Sequence, residues 1–118
     1  MSFGSAISNV LSNYATFSGR ASKSEFWWWF LFFTLLMMAI GIVSAAMSSA
    51  AGGALSGLVW LGLFLPNLAV QVRRLHDTGR SGWWMLLILL PLIGFIVLLI
   101  FFLLASNPGA NRYGEQPQ

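Results

Sequence analysis

Apolar positions along this chain gather into three long runs separated by short polar breaks. Phe26 to Met47 is 22 residues without a charge, Ala54 to Val72 is 19, and Trp83 to Ala105 is 23. At about 1.5 Å per residue the first run makes roughly 33 Å of helix, enough to cross a hydrocarbon layer of about 30 Å. Each break carries stop and start signals. Ser22-Lys23-Ser24-Glu25 fits a capping box: Ser22 can accept from the backbone of Glu25 while Glu25 reaches back to Ser22, so a helix starts there. Ser48 to Gly53 reads as a tight hairpin loop. Thr78-Gly79-Arg80-Ser81-Gly82 is turn chemistry, with Ser81 placed to cap the helix that follows.

The pattern weakens at both ends. Phe3, Ile7, Val10, Leu11, Tyr14 and Phe17 recur at steps of three and four and draw one apolar stripe on a helix. Residues 1–21 are therefore expected to form an interfacial amphipathic helix or a flexible lead. Residues 106–118, with Asn, Pro and Gly, read as a polar tail. Pro91 and Gly94 interrupt the third run, which is either one span kinked at Pro91 or a re-entrant hairpin with Pro91-Leu92-Ile93-Gly94 at its tip. Unbroken apolarity favours the single crossing. The expected fold is all-α and integral to a membrane, one domain over 1–118 with about three transmembrane helices near 26–47, 54–72 and 83–105.

Composition explains where those runs must lie. Hydrophobic residues make up 58% of the 118 and charged residues only 8%, against about a quarter charged in a soluble domain. Six Lys and Arg with three Asp and Glu cannot clothe a water-soluble surface, so the apolar surface must face lipid. The net charge of +3 raises nucleic-acid binding, but the basic residues flank the apolar runs instead of forming a stripe, which argues against it. Phe26-Trp27-Trp28-Trp29 and Trp83-Trp84 stand at run ends, where amphipathic rings suit the headgroup level. The absence of cysteine excludes disulfides and thiolate metal sites, and no cofactor is indicated. Ser44-Ala45-Ala46 resembles a signal-peptidase site, yet a 22-residue run after a 25-residue lead exceeds a signal core of about 7 to 15 residues, so a retained anchor is expected.

The basic residues also set an orientation. Arg20 and Lys23 precede the first run, Arg73, Arg74 and Arg80 lie between the second and third, and the first loop has none. The amino end is accordingly expected in the cytoplasm. One crossing by the third run would put Arg112 and Glu115 outside; a hairpin would gather all six basic residues on one face.

Arg73-Arg74-Leu75-His76-Asp77 with Arg80 is the densest polar cluster. A histidine beside an aspartate could serve as an oriented base. Neighbours on a helix, however, point about 100° apart, and no nucleophile is fixed nearby. The arginines are expected to contact anionic headgroups, with Glu25 and Asp77 pairing with Arg20, Arg73 or Arg80 to lock the first two spans together. Asn67 and Gln71, four apart, are expected to hydrogen-bond to another helix. No run carries an ionisable residue between its ends, which argues against a proton-coupled carrier. Gly53-x-x-x-Gly57 matches the small-residue packing motif, a cheap match among twelve glycines.

Gly19-Arg20, Glu25-Phe26-Trp27, Arg73-Arg74-Leu75-His76-Asp77-Thr78, Ser81-Gly82-Trp83-Trp84, Pro91-Leu92-Ile93-Gly94 and Pro108-Gly109-Ala110-Asn111-Arg112-Tyr113-Gly114 follow one another in an order that resembles the YhaH-like bacterial inner-membrane proteins, domain of unknown function 805. The likeness runs from about Tyr14 to Gly114. It implies an inner-membrane location and no known reaction, with signature positions at Arg20, Glu25, Arg73, Arg74, His76, Asp77, Asn111 and Arg112. A signature in the tail makes more sense if the tail meets the Arg73 to Asp77 cluster, which favours the hairpin. The function expected is non-enzymatic: interaction with a partner protein, a second copy or anionic lipid through the cytoplasmic cluster, to which Arg80 is added. The alternative is a small oligomeric channel or transporter subunit.

Overall fold

In the computed structural model, which describes residues 1–117, four α-helices and one 3-10 segment carry the fold. Helix α1 (Phe3–Ser12) opens with a complete capping box, the Ser2 and Ser5 side chains each bonded to the other's backbone. Residues 3–12 of the lead are thus helical, and 13–22 form a non-helical link to α2. It packs along α2 (Lys23–Ala45) through buried Ala6 and Val10, with Phe3 edge-on to Trp28. At α2, Ser22 accepts from the Glu25 amide at 3.1 Å as expected. The return arm is missing, because the Glu25 carboxylate is bonded to Arg73 instead.

Helix α3 (Ser49–Asp77) starts five residues before the apolar run, capped by Ser48. Gly52 and Gly53 are therefore helical, and the loop is shorter than the glycines suggested. A Cβ on Gly52 would come within 2.7 Å of the Ser44 carbonyl oxygen, so the close approach of α2 and α3 falls there. Gly53 and Gly57 face nothing within 4 Å. The two helices run antiparallel, tied by Ser44–Ser56, Trp29 Nε1 donating to Asn67 Oδ1 at 2.7 Å, and Arg73–Glu25. Both are long and apolar enough to cross a membrane, and only 11% of the most apolar stretch of α2 and 17% of that of α3 are buried within the protein. A core helix of a soluble domain would be largely enclosed; these present their sides outward.

Pro66 lies inside α3. It has no N–H to offer the Gly62 carbonyl one turn earlier, and an orphan carbonyl in an apolar setting is costly. The Tyr14 hydroxyl, just beyond α1, donates to that oxygen. Tyr14→Phe should therefore lower stability by about 1 kcal/mol, read as a fall of about 4 °C in the melting temperature of the detergent-solubilised chain. An unchanged melting temperature would show that the carbonyl has another partner.

The third apolar run reverses on itself. A 3-10 segment (Gly82–Leu89) and α4 (Ile93–Leu103) form its two arms, each about 16 Å long at roughly 2.0 and 1.5 Å per residue, or half a hydrocarbon layer of about 30 Å. The single kinked crossing that hydropathy favoured is replaced by this hairpin. Leu90, before the proline, is extended as that position demands. Leu92 then takes φ 64° and ψ −61°, closing a γ-turn in which the Ile93 amide donates to the Pro91 carbonyl at 2.7 Å. Ser81 precedes the first arm without a side-chain cap; its carbonyl accepts from the Trp84 amide instead. After α4 the tail returns to the end of α3, where the Asn107 amide donates to the Asp77 carbonyl at 2.9 Å.

Candidate functional site: a buried charge knot

Three helix ends meet at one end of the bundle: the carboxyl ends of α3 and α4 and the amino end of α2. Helix carboxyl ends carry carbonyls with no intrahelical partner and a partial negative charge. Cations collect there. Arg74 donates to the carbonyls of Phe102 and Leu104 at the end of α4 and to the Asp77 carboxylate. Arg20, in the link between α1 and α2, bonds Asp77 Oδ1 at 3.0 Å and four carbonyls: Asp77 at 3.2 Å, Asn107 at 2.7 Å, Gly109 at 2.7 Å and Gly114 at 3.2 Å. Every donor direction of its fork is engaged, so this one guanidinium holds the tail in place. Ser106 adds a further hydrogen bond to Asp77.

The second pair lies alongside. Glu25, in the first turn of α2, accepts from Arg73 Nη1 at 2.8 Å, and the position suits an anion because a helix amino end is electropositive. The Ala21 amide donates to the Arg73 carbonyl at 2.9 Å, stitching the link to α3. Arg73 Nε and Nη2 are buried without a partner. Asp77 and Arg74 are 0% exposed, Glu25 1% and Arg73 3%. These are interior groups: three guanidinium groups face two carboxylates and two helix carboxyl ends, with every donor of Arg20 engaged and two nitrogens of Arg73 left over. The pairing expected of Glu25 and Asp77 with Arg20 and Arg73 is present; headgroup contact by the buried arginines is not available to them.

His76 is placed differently from an oriented base. Its Nδ1 faces the Gly19 carbonyl at 2.9 Å; since a carbonyl only accepts, the proton sits on Nδ1. Its ring stacks on Tyr113 with centroids 3.9 Å apart and planes 1° from parallel. Asp77 is engaged elsewhere, so the two neighbours make no dyad. Asn111 joins through its side-chain amide, which donates to the His76 carbonyl at 2.9 Å. Arg80 stands outside the knot, its guanidinium 4.1 Å above the Phe101 ring, and Arg112 lies exposed beside Tyr113. Ser106 and Asn107 belong to the cluster and had no signal of their own in the sequence beyond adjacency to the tail motif, and Tyr113 stood inside that motif without being singled out. Among the described residues no three His, Asp or Glu side chains come together as a metal-ligand set.

The model of a family described as a protein of unknown function, DUF805, matches residues 14–115. Among curated relatives, inner membrane protein YhaI of Escherichia coli K12 is 45% identical over 110 residues, covering 93% of this chain and 92% of the relative. Inner membrane protein YhaH of the same organism is 39% identical over 112 residues, covering 92% of this chain and 93% of the relative. No solved structure matches.

Proposed function

This chain belongs to the DUF805 family, and from that premise we propose that it is a non-enzymatic, multi-pass protein of a bacterial inner membrane that works by association. Its associates would be a partner protein, a second copy of itself or anionic lipid. The observation that carries the reading is the full engagement of Asp77 inside the charge knot. Asp77, the one carboxylate beside the lone histidine, is taken up by Arg20, Arg74 and Ser106, and His76 is fixed between Gly19 and Tyr113. The one free lone pair left in the cluster is that of His76 Nε2, and no carboxylate among the described residues is paired with that ring to orient it as a base. The knot acts instead as a fastener that holds hairpin and tail to the α2–α3 pair, presenting apolar flanks with Lys23 and Arg80 at their rim. The positive-inside rule places that rim, with both chain ends, on the cytoplasmic face.

Native mass spectrometry of the chain released from membrane vesicles tests this reading. A defined complex, either an oligomer, a heteromer or a lipid-bearing monomer, is the expected result. A bare monomer whose residual lipid mirrors the bulk membrane would overturn it, and ion flux through vesicles carrying the purified chain would replace it with a channel.

A further inference from the structure

Beside the knot, and sharing Ser106 with it, the outward flank of α2 carries an opening. Lys23, Ser24, Leu103 and Ser106 border a broad cavity of about 620 Å³, also lined by Trp27. The same ring lines two narrower furrows. One runs along Trp28 and Leu31. The other, about 150 Å³, passes between α2 and the hairpin along Phe30 and Leu99. Lys23, Trp27, Phe30 and Leu31 stand at i, i+4, i+7 and i+8, so one face of α2 bears a cation at its end and apolar groups along the rest. Lys23 is exposed and, unlike Arg20, Arg73 and Arg74, has no ion-pair partner among the described residues.

We propose that this flank binds one anionic phospholipid, with its phosphate at Lys23 at the mouth of the broad opening and its two acyl chains on either side of Trp27. Charge complementarity selects the class. A lipid with net negative charge gains from Lys23, whereas a zwitterionic one brings its own ammonium group to the same cation. Two furrows divided by a single ring fit a two-chain lipid, and that ridge would interrupt the continuous groove a partner helix needs. The inference rests on the associative reading above and names one partner within it.

The test uses the full chain in vesicles that are mostly phosphatidylethanolamine with a minority of phosphatidylglycerol, read by native mass spectrometry. Retained phosphatidylglycerol should exceed its share of the vesicle by about fivefold. Lys23→Gln should return it to the vesicle's share, and Lys23→Arg should retain the enrichment. Arg112→Gln, at an exposed cation outside the furrows, should leave it unchanged. Absence of enrichment in the wild type, or an equal loss in Arg112→Gln, overturns the proposal. Displacement of the lipid by inorganic phosphate alone would likewise overturn it, in favour of a free-phosphate site. A defined protein complex without retained lipid removes this inference and leaves the associative reading standing.

Discussion

Asp77→Ala is expected to lower stability by about 3 to 5 kcal/mol, the scale on which a buried ion pair fails when one partner is removed. The carboxylate is fully buried and receives Arg20, Arg74 and Ser106. Without it, two guanidinium groups stay enclosed near a third with nothing to neutralise them. Thermal unfolding in mild detergent reads the loss, and trypsin should cut the tail after Arg112 sooner, because Arg20 no longer has a fixed geometry. Asp77→Asn should fall between wild type and alanine: one oxygen still accepts, but the charge is gone. Pairing Asp77→Ala with Arg74→Ala gives the sharper measurement. The double variant should lose clearly less than the two single losses combined, since removing both partners leaves fewer orphaned charges. Additive losses, each under about 1 kcal/mol, would mean that the knot is solvated and does not fasten the fold.

Gly94→Ala should open the hairpin. The α-carbon of Gly94 lies against the Leu87 carbonyl oxygen at the end of the first arm, and a Cβ would fall on that atom. Backbone stands on the other side of the contact, so no rotamer change relieves the clash. A loss of about 3 kcal/mol or more is expected, at or beyond the upper end of ordinary overpacking. Cysteines placed at Trp84 and Phe101, whose rings meet edge-on at 5.5 Å, would report it: cross-linking by a short bifunctional reagent should be efficient in the parent and weak with Gly94→Ala. Equal cross-linking would show that the arms approach each other some other way. Gly94 and Asp77 act on opposite ends of one device, the turn that sends the chain back and the charges that receive it.

Much of the site could be seen in the sequence as separate pieces. Arg20, Glu25 and the Arg73 to Asp77 segment stood out as polar residues beside apolar runs, while Asn111 entered only through the family's tail motif, which hinted at an approach to that segment. Their mutual arrangement could not be read, because Arg20 and Asp77 are 57 positions apart and Arg20 and Gly114 94 apart. Gly79 shows the same limit: it looked like turn punctuation, and its positive φ agrees, yet the space a Cβ would need there is occupied by the Asn107 side chain. Tyr14 likewise looked like one more member of an apolar stripe; its use emerges only when Pro66 leaves a carbonyl open on another helix.

Local chemistry decided a good deal unaided. Apolar runs of 19 to 23 residues against so few charges require a lipid-facing helical protein, because backbone groups in hydrocarbon must be satisfied within their own segment. Ser22 before the first run marks a helix start, and Pro91 marks a break, through steric and hydrogen-bonding rules that act over one turn. Whether the break kinks a helix or reverses the chain lies beyond that range. It depends on what awaits the returning end, here the carbonyls of Phe102 and Leu104 meeting Arg74 and the tail carbonyls meeting Arg20. Charges that hydropathy treats as membrane-edge residues become interior ones once two helix carboxyl ends converge on them, and only the tertiary structure brings those ends together.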